Sequence, residues 1–166
     1  ASALPGTYAI VATNAVGSGL DNYAIIYSNG VLSVLQPISV FLSDNGRQIG
    51  RGSVLTGAVN HVLFSFRLQV TESNRLDAVH MVTEGDYASD DLLSFKLWRS
   101  ADSIFGGDDL LKVINRPMPA GTNKFTVISE WLAPGTHYFF ITTDVNSLAV
   151  TGRPIRLLGL TASDVE

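Results

Sequence analysis

From His61 to Val70 the chain alternates without interruption. Val62, Phe64, Phe66, Leu68 and Val70 fall on one side of an extended backbone, and His61, Leu63, Ser65, Arg67 and Gln69 on the other. Side chains of a strand point to opposite faces in turn, so this run predicts a half-buried antiparallel strand. Shorter runs of the same kind recur, with turn signals about every 8 to 14 residues. No window carries a 3.6-residue apolar period over three turns, and the connections are too short for helical crossovers between parallel strands.

The expected runs are Thr7 to Ala12, Tyr23 to Tyr27, Val31 to Val34, Ile38 to Leu42, Gln48 to Val54, Leu76 to Val82 and Leu93 to Arg99. Leu110 to Ile114, Phe125 to Ile128, His137 to Thr143 and Ile155 to Leu160 complete the series. Asn29-Gly30, between two apolar runs, predicts a tight hairpin turn, since Asn tolerates positive φ and Gly accepts it freely. Asp44-Asn45-Gly46 predicts another. In Leu76 to Val82 the alternation groups Leu76, Ala78, His80 and Val82 against Asp77, Val79 and Met81. Leu93, Phe95, Leu97 and Arg99 are similarly opposed to Ser94, Lys96 and Trp98. Eight or more short strands with such connections predict an all-β fold. The expectation is an antiparallel β-sandwich, Ig-like or jelly-roll-like, over residues 37–166, with an additional N-terminal hairpin in residues 1–36.

Composition narrows the function classes. The 166 residues are 46% hydrophobic and 16% charged, enough apolar content for a core and unlike a disordered chain. A net charge of -4 with scattered basic residues gives no footprint for nucleic acid or an anionic membrane. There are no cysteines, hence no disulfides, thiolate metal sites or Cys nucleophiles. No apolar run reaches the roughly 18 residues that span a bilayer, so no membrane insertion is expected. The start at Ala1, without an initiator Met or a leader, reads as a piece of a longer precursor.

Two stretches carry family resemblances. Gly6, Thr7, Tyr8 and Ile10; Asn22, Tyr23, Ile25 and Tyr27; and Gly30, Leu32 and Val34 follow the pattern Gly-Thr-Tyr-x-Ile, Asn-Tyr-x-Ile-x-Tyr, x-Gly-x-Leu-x-Val. Residues 4–34 thereby resemble the C-terminal part of a bacterial MBG-type adhesin repeat, without that repeat's N-terminal half. Phe95-Lys96-Leu97-Trp98, Ser100, Phe105, Asp108-Asp109, Gly135-Thr136, Tyr138 to Ile141, Asp144-Val145 and Ala149 carry the second. Residues 61–166 resemble the β-sandwich module at the N-terminus of BNR-repeat sialidases and in large secreted bacterial proteins. These are mostly fold residues, and the sialidase Ser-x-Asp-x-Gly-x-Thr-Trp box is absent. The resemblance implies a secreted, non-catalytic module.

Candidate chemistry is sparse. Asp102, Asp108 and Asp109, around Gly106-Gly107, offer oxygen ligands for a Ca²⁺ ion that would staple the loop; the alternative is turn residues capping local amides. The acids Asp86, Asp90 and Asp91 fall in the same reading. Asp86, Glu130 and Asp144 are not placed by sequence at the roughly 5 to 9 Å that a glycosidase pair needs. His61, His80 and His137 lie on separate strands without metal-ligand spacing. Trp98, beside Lys96 and opposite Phe95 and Leu97, is expected on an outer face. Trp131 is expected at a loop edge. Trp98, Trp131 and Lys96 are the candidate contacts for a surface glycan or polysaccharide. The expectation is therefore a non-enzymatic extracellular segment of a large bacterial surface adhesin or secreted multidomain protein. It would act by adhesion or as a spacer between neighbouring modules. The alternative is a carbohydrate-binding accessory module of a glycoside hydrolase such as a sialidase.

Overall fold

The computed structural model describes residues 6–34, 40–42, 46–48, 53–115 and 119–166. The chain divides into two compact units, Ala1–Pro37 and Ile38–Glu166. All of the described sheets are antiparallel.

In the first unit, β1 (Gly6–Ile10) pairs with β2 (Gly30–Val34), Gly6 opposite Val34 and Ile10 opposite Gly30. The hairpin is there, but not with the expected partner. Tyr23 to Tyr27 lies outside the ladder, and neither Asn29 nor Gly30 adopts positive φ, so the two-residue turn does not form. β1 takes the place across β2 that a tight turn would have given to Tyr23–Tyr27.

The second unit is a sandwich. Its larger sheet runs β3 (Val40–Leu42), β5 (His61–Val70), β10 (Gly135–Val145), β7 (Leu92–Ser100), β8 (Asp109–Asn115). A short β4 (Arg47–Gln48) shares with β3 the edge of β5 that faces away from β10. The smaller sheet runs β11 (Arg156–Leu157), β6 (Asn74–Glu84), β9 (Gly121–Leu132). The expected turn over Asp44-Asn45 and most of the Gln48–Val54 segment lie outside the described residues.

The core lies between the sheets. Phe64, Phe66 and Leu68 of β5, Phe139 and Ile141 of β10, and Phe95 and Leu97 of β7 meet Val79 and Met81 of β6 and Phe125 and Leu132 of β9; all are buried. Phe66 and Phe139, cross-strand partners, stack with ring centroids 5.0 Å apart. Each such side chain contributes about 1.5–3 kcal/mol by leaving water.

Two expected alternations are broken, both by bulges. In β6, the amides of Asp77 and Ala78 both donate to the carbonyl of Glu166, at 2.6 and 3.0 Å. Two residues oppose one, so the strand gains a residue and its facing changes parity. Leu76 points inward before the bulge and Ala78 within it; Val79, Met81 and Thr83 do so after it, and His80 and Val82 are turned out of the core. At the same level β9 bulges against β6: Leu76 pairs with Glu130 and Ala78 with Thr126, with Val127 and Ser129 in the left-handed region at φ 57. For β-branched Val127 this costs about 1–3 kcal/mol. In β7, Asp144 pairs with Ser94 but Val145 with Leu92, which leaves Leu93 out of register. Leu93 is 52% exposed, and Leu92 is buried in its place.

Candidate functional site

The outer face of the larger sheet gathers the groups that alternation placed there. Lys96 and Trp98 of β7 stand beside Thr142 and Asp144 of β10. Trp98 Nε1 donates to Thr142 Oγ1 at 2.9 Å, and its ring meets Phe105 edge-on, 5.5 Å between centroids. Phe105 in turn sits 5.5 Å from Phe140. Phe105 comes from the loop after β7, which folds over this face. Trp98 is therefore on the expected face but half-buried under an aromatic neighbour. Trp131 is 66% exposed on β9, opposite Arg75 in the ladder.

Near Trp98 lies a polar cluster drawn from β7, β10 and Asn60, the residue preceding β5. Asp144 Oδ1 accepts from the backbone N–H of Asn60 at 2.8 Å and from Lys96 Nζ at 2.9 Å. Its Oδ2 accepts from Ser94 Oγ at 3.0 Å and lies 2.7 Å from the same ammonium. Lys96 Nζ also donates to Asn60 Oδ1 at 2.7 Å. Burial raises the Asp144 pKa, but the hydrogen bonds from Lys96, Asn60 and Ser94 and the Lys96 charge outweigh it and hold the carboxyl below its ordinary range.

The second perturbed acid was not legible in sequence. Asp91, grouped above with turn acids, is buried. Its Oδ1 accepts from the Val150 amide at 2.9 Å; its Oδ2 accepts from the Ala88 amide at 2.8 Å and from Arg153 at 2.9 Å. These bonds, the two backbone amides first, lower its pKa to about 2. It staples the turn before β7 to the loop after β10, across one wall of an open cleft of about 1170 Å³. Glu84, Thr143, Arg153 and Arg156 also line this cleft, and each arginine is paired with a carboxylate, Asp91 and Glu84 respectively.

The remaining candidates are apart from both places. Asp102 Oδ1 accepts from the Ile104 amide at 2.8 Å and Asp108 Oδ2 from the Gly106 amide at 3.0 Å, so both cap their own loop; Asp109 begins β8 and is exposed. Among the described residues no three His, Asp or Glu side chains converge on a metal position. His61 and His137 lie at opposite ends of the β5–β10 ladder, and His80 is in the other sheet. His137 is buried with Nε2 2.7 Å from the Ala133 carbonyl; a carbonyl only accepts, so Nε2 carries the hydrogen. Glu130 pairs with Arg99 rather than with another acid.

No family model matches the chain, and no curated protein matches it significantly.

Proposed function

We propose that this chain is a non-enzymatic, extracellular segment of a large bacterial surface adhesin or secreted multidomain protein, acting in adhesion or as a spacer. The observation that carries the reading is the succession of two separately compact antiparallel units along one chain. Such units suit a string of modules, in which each buries its own apolar surface. The polar chemistry supports it as well. The two acids with lowered pKa, Asp91 and Asp144, are engaged on both oxygens by amides and cations of neighbouring loops and strands. They act as staples, and staples are what a spacer under load requires. Extension of the full chain between two handles tests this. A spacer gives one cooperative unfolding event for the sandwich; gradual extension in many small steps contradicts the reading.

Exposed Trp131 favours a second reading, a carbohydrate-binding accessory module. An exposed indole can stack on the apolar face of a sugar ring. Screening the full chain against a panel of surface polysaccharides decides it. Binding lost in Trp131→Ala supports the reading, and no binding by the parent chain overturns it.

A further inference from the structure

Lys96, Asn60 and Asp144 are more than a salt bridge with a neighbour. They place one amine against both a carboxamide and a carboxylate: Lys96 Nζ lies 2.7 Å from Asn60 Oδ1 and 2.9 and 2.7 Å from the two oxygens of Asp144. The amine is thus against the amide group, one bond from its carbon. Asn60 is itself fixed: its backbone N–H donates to Asp144 Oδ1 at 2.8 Å, and its backbone sits in the left-handed region at φ 53. The side chains of Lys96 and Asp144 are only 16% and 17% exposed, which limits competing water. We propose that Lys96 and Asn60 become joined by an isopeptide bond, with Asp144 carrying the protons.

The step balances. Lys96 passes one proton to Asp144, giving a neutral amine beside a carboxylic acid. The amine lone pair attacks Cγ of Asn60 and a new C–N bond forms. Asp144 protonates Nδ2 and takes up the surplus proton from the attacking nitrogen. The Cγ–Nδ2 bond breaks, and ammonia leaves, accepting the proton that Asp144 now holds. The net change is a side-chain amide and one ammonium ion; nothing is oxidised or reduced. Holding the groups in contact supplies the effective concentration that an unassisted amine and amide lack in water. Because Asp144 is held ionised by the very ammonium it must deprotonate, the neutral pair is a minor state. Bond formation is therefore slow relative to folding, and it follows folding.

The bond would tie the residue preceding β5 to the middle of β7, across β10. It does not depend on what the module attaches to or on whether it is a spacer.

The intact mass of the full chain, purified after native folding, tests the proposal. The expected mass is lower than the sequence mass by one ammonia. Tryptic digestion should give a branched peptide in which residues 52–67 are joined to residues 76–99, uncut after Lys96. Asn60→Ala and Lys96→Arg should keep the full sequence mass, and so should Asp144→Asn. The full sequence mass in the parent chain, with linear peptides 52–67 and 76–96, overturns the proposal. So does a missing ammonia with linear peptides only, which marks an asparagine succinimide instead. A branched peptide in Asp144→Asn overturns the part given to Asp144. The parent measurement stands even where a variant folds poorly.

Discussion

Arg99 of β7 and Glu130 of β9 form an ion pair that joins the two sheets at the rim of the core. Arg99 follows Phe95 and Leu97 on the core-facing side of its strand, so the pair closes the gap where apolar packing stops. Its side chains are 32% and 28% exposed, so water weakens the attraction. Glu130→Gln is expected to lower the unfolding free energy by about 0.5–1 kcal/mol, and less at high salt. Urea titrations at two ionic strengths measure both.

Asp91 makes the fold sensitive to acid. Its folded pKa of about 2 lies below the ordinary 3.8, so the unfolded chain takes up the proton first. The stability it contributes is fully present above about pH 5 and drains away as pH falls through 3.8 toward 2. Asp144, also lowered, acts in the same direction. Melting temperature against pH should fall over that window, and Asp91→Asn should flatten the fall. At neutral pH the same variant should cost about 1–3 kcal/mol, since the Val150 and Ala88 amides and Arg153 lose a charged acceptor.

Gly85 follows β6 in a tight approach. Its φ is 128, and an added β-carbon would stand 2.0 Å from the Pro154 carbonyl oxygen. Neither backbone can yield without moving the wall of the cleft. Gly85→Ala is expected to destabilise by about 2 kcal/mol or more, read from the denaturant midpoint.

Phe105 is the cover over Trp98. Phe105→Ala should remove both aromatic contacts, to Trp98 and to Phe140. The expected outcome is a loss of about 1–2 kcal/mol and easier quenching of Trp98 fluorescence by acrylamide. The measurement belongs in a Trp131→Phe background, where Trp98 is the sole tryptophan.

The all-β class and the larger sheet were legible because His61–Val70 and its neighbours alternate over long stretches against one core. What escaped the sequence depends on partners far along the chain. The parity change in β6 is set by the carbonyl of Glu166, which no window around Leu76 contains. Asn29-Gly30 reads as a hairpin turn by itself, yet β2 finds its partner in β1. Asp91 has the look of a solvated turn acid, and its burial follows from Val150 and Arg153 some sixty residues later. Trp98 and Lys96 were placed on their face by alternation alone. That Phe105 covers one and that Asn60 and Asp144 hold the other required two strands, the residue before β5 and the loop after β7 to come together.

The bulge at Asp77 gives β6 two reading frames, one on each side of a single extra residue. A one-residue deletion there would close the bulge and leave an evenly alternating strand, with Leu76, Val79 and Met81 still facing inward. A one-residue change in the regular stretch from Val79 to Thr83 has no bulge to absorb it and would turn over every side chain beyond it. For this strand, the stretch between Leu76 and Val79 is where length can shorten by one without changing which later residues face the core.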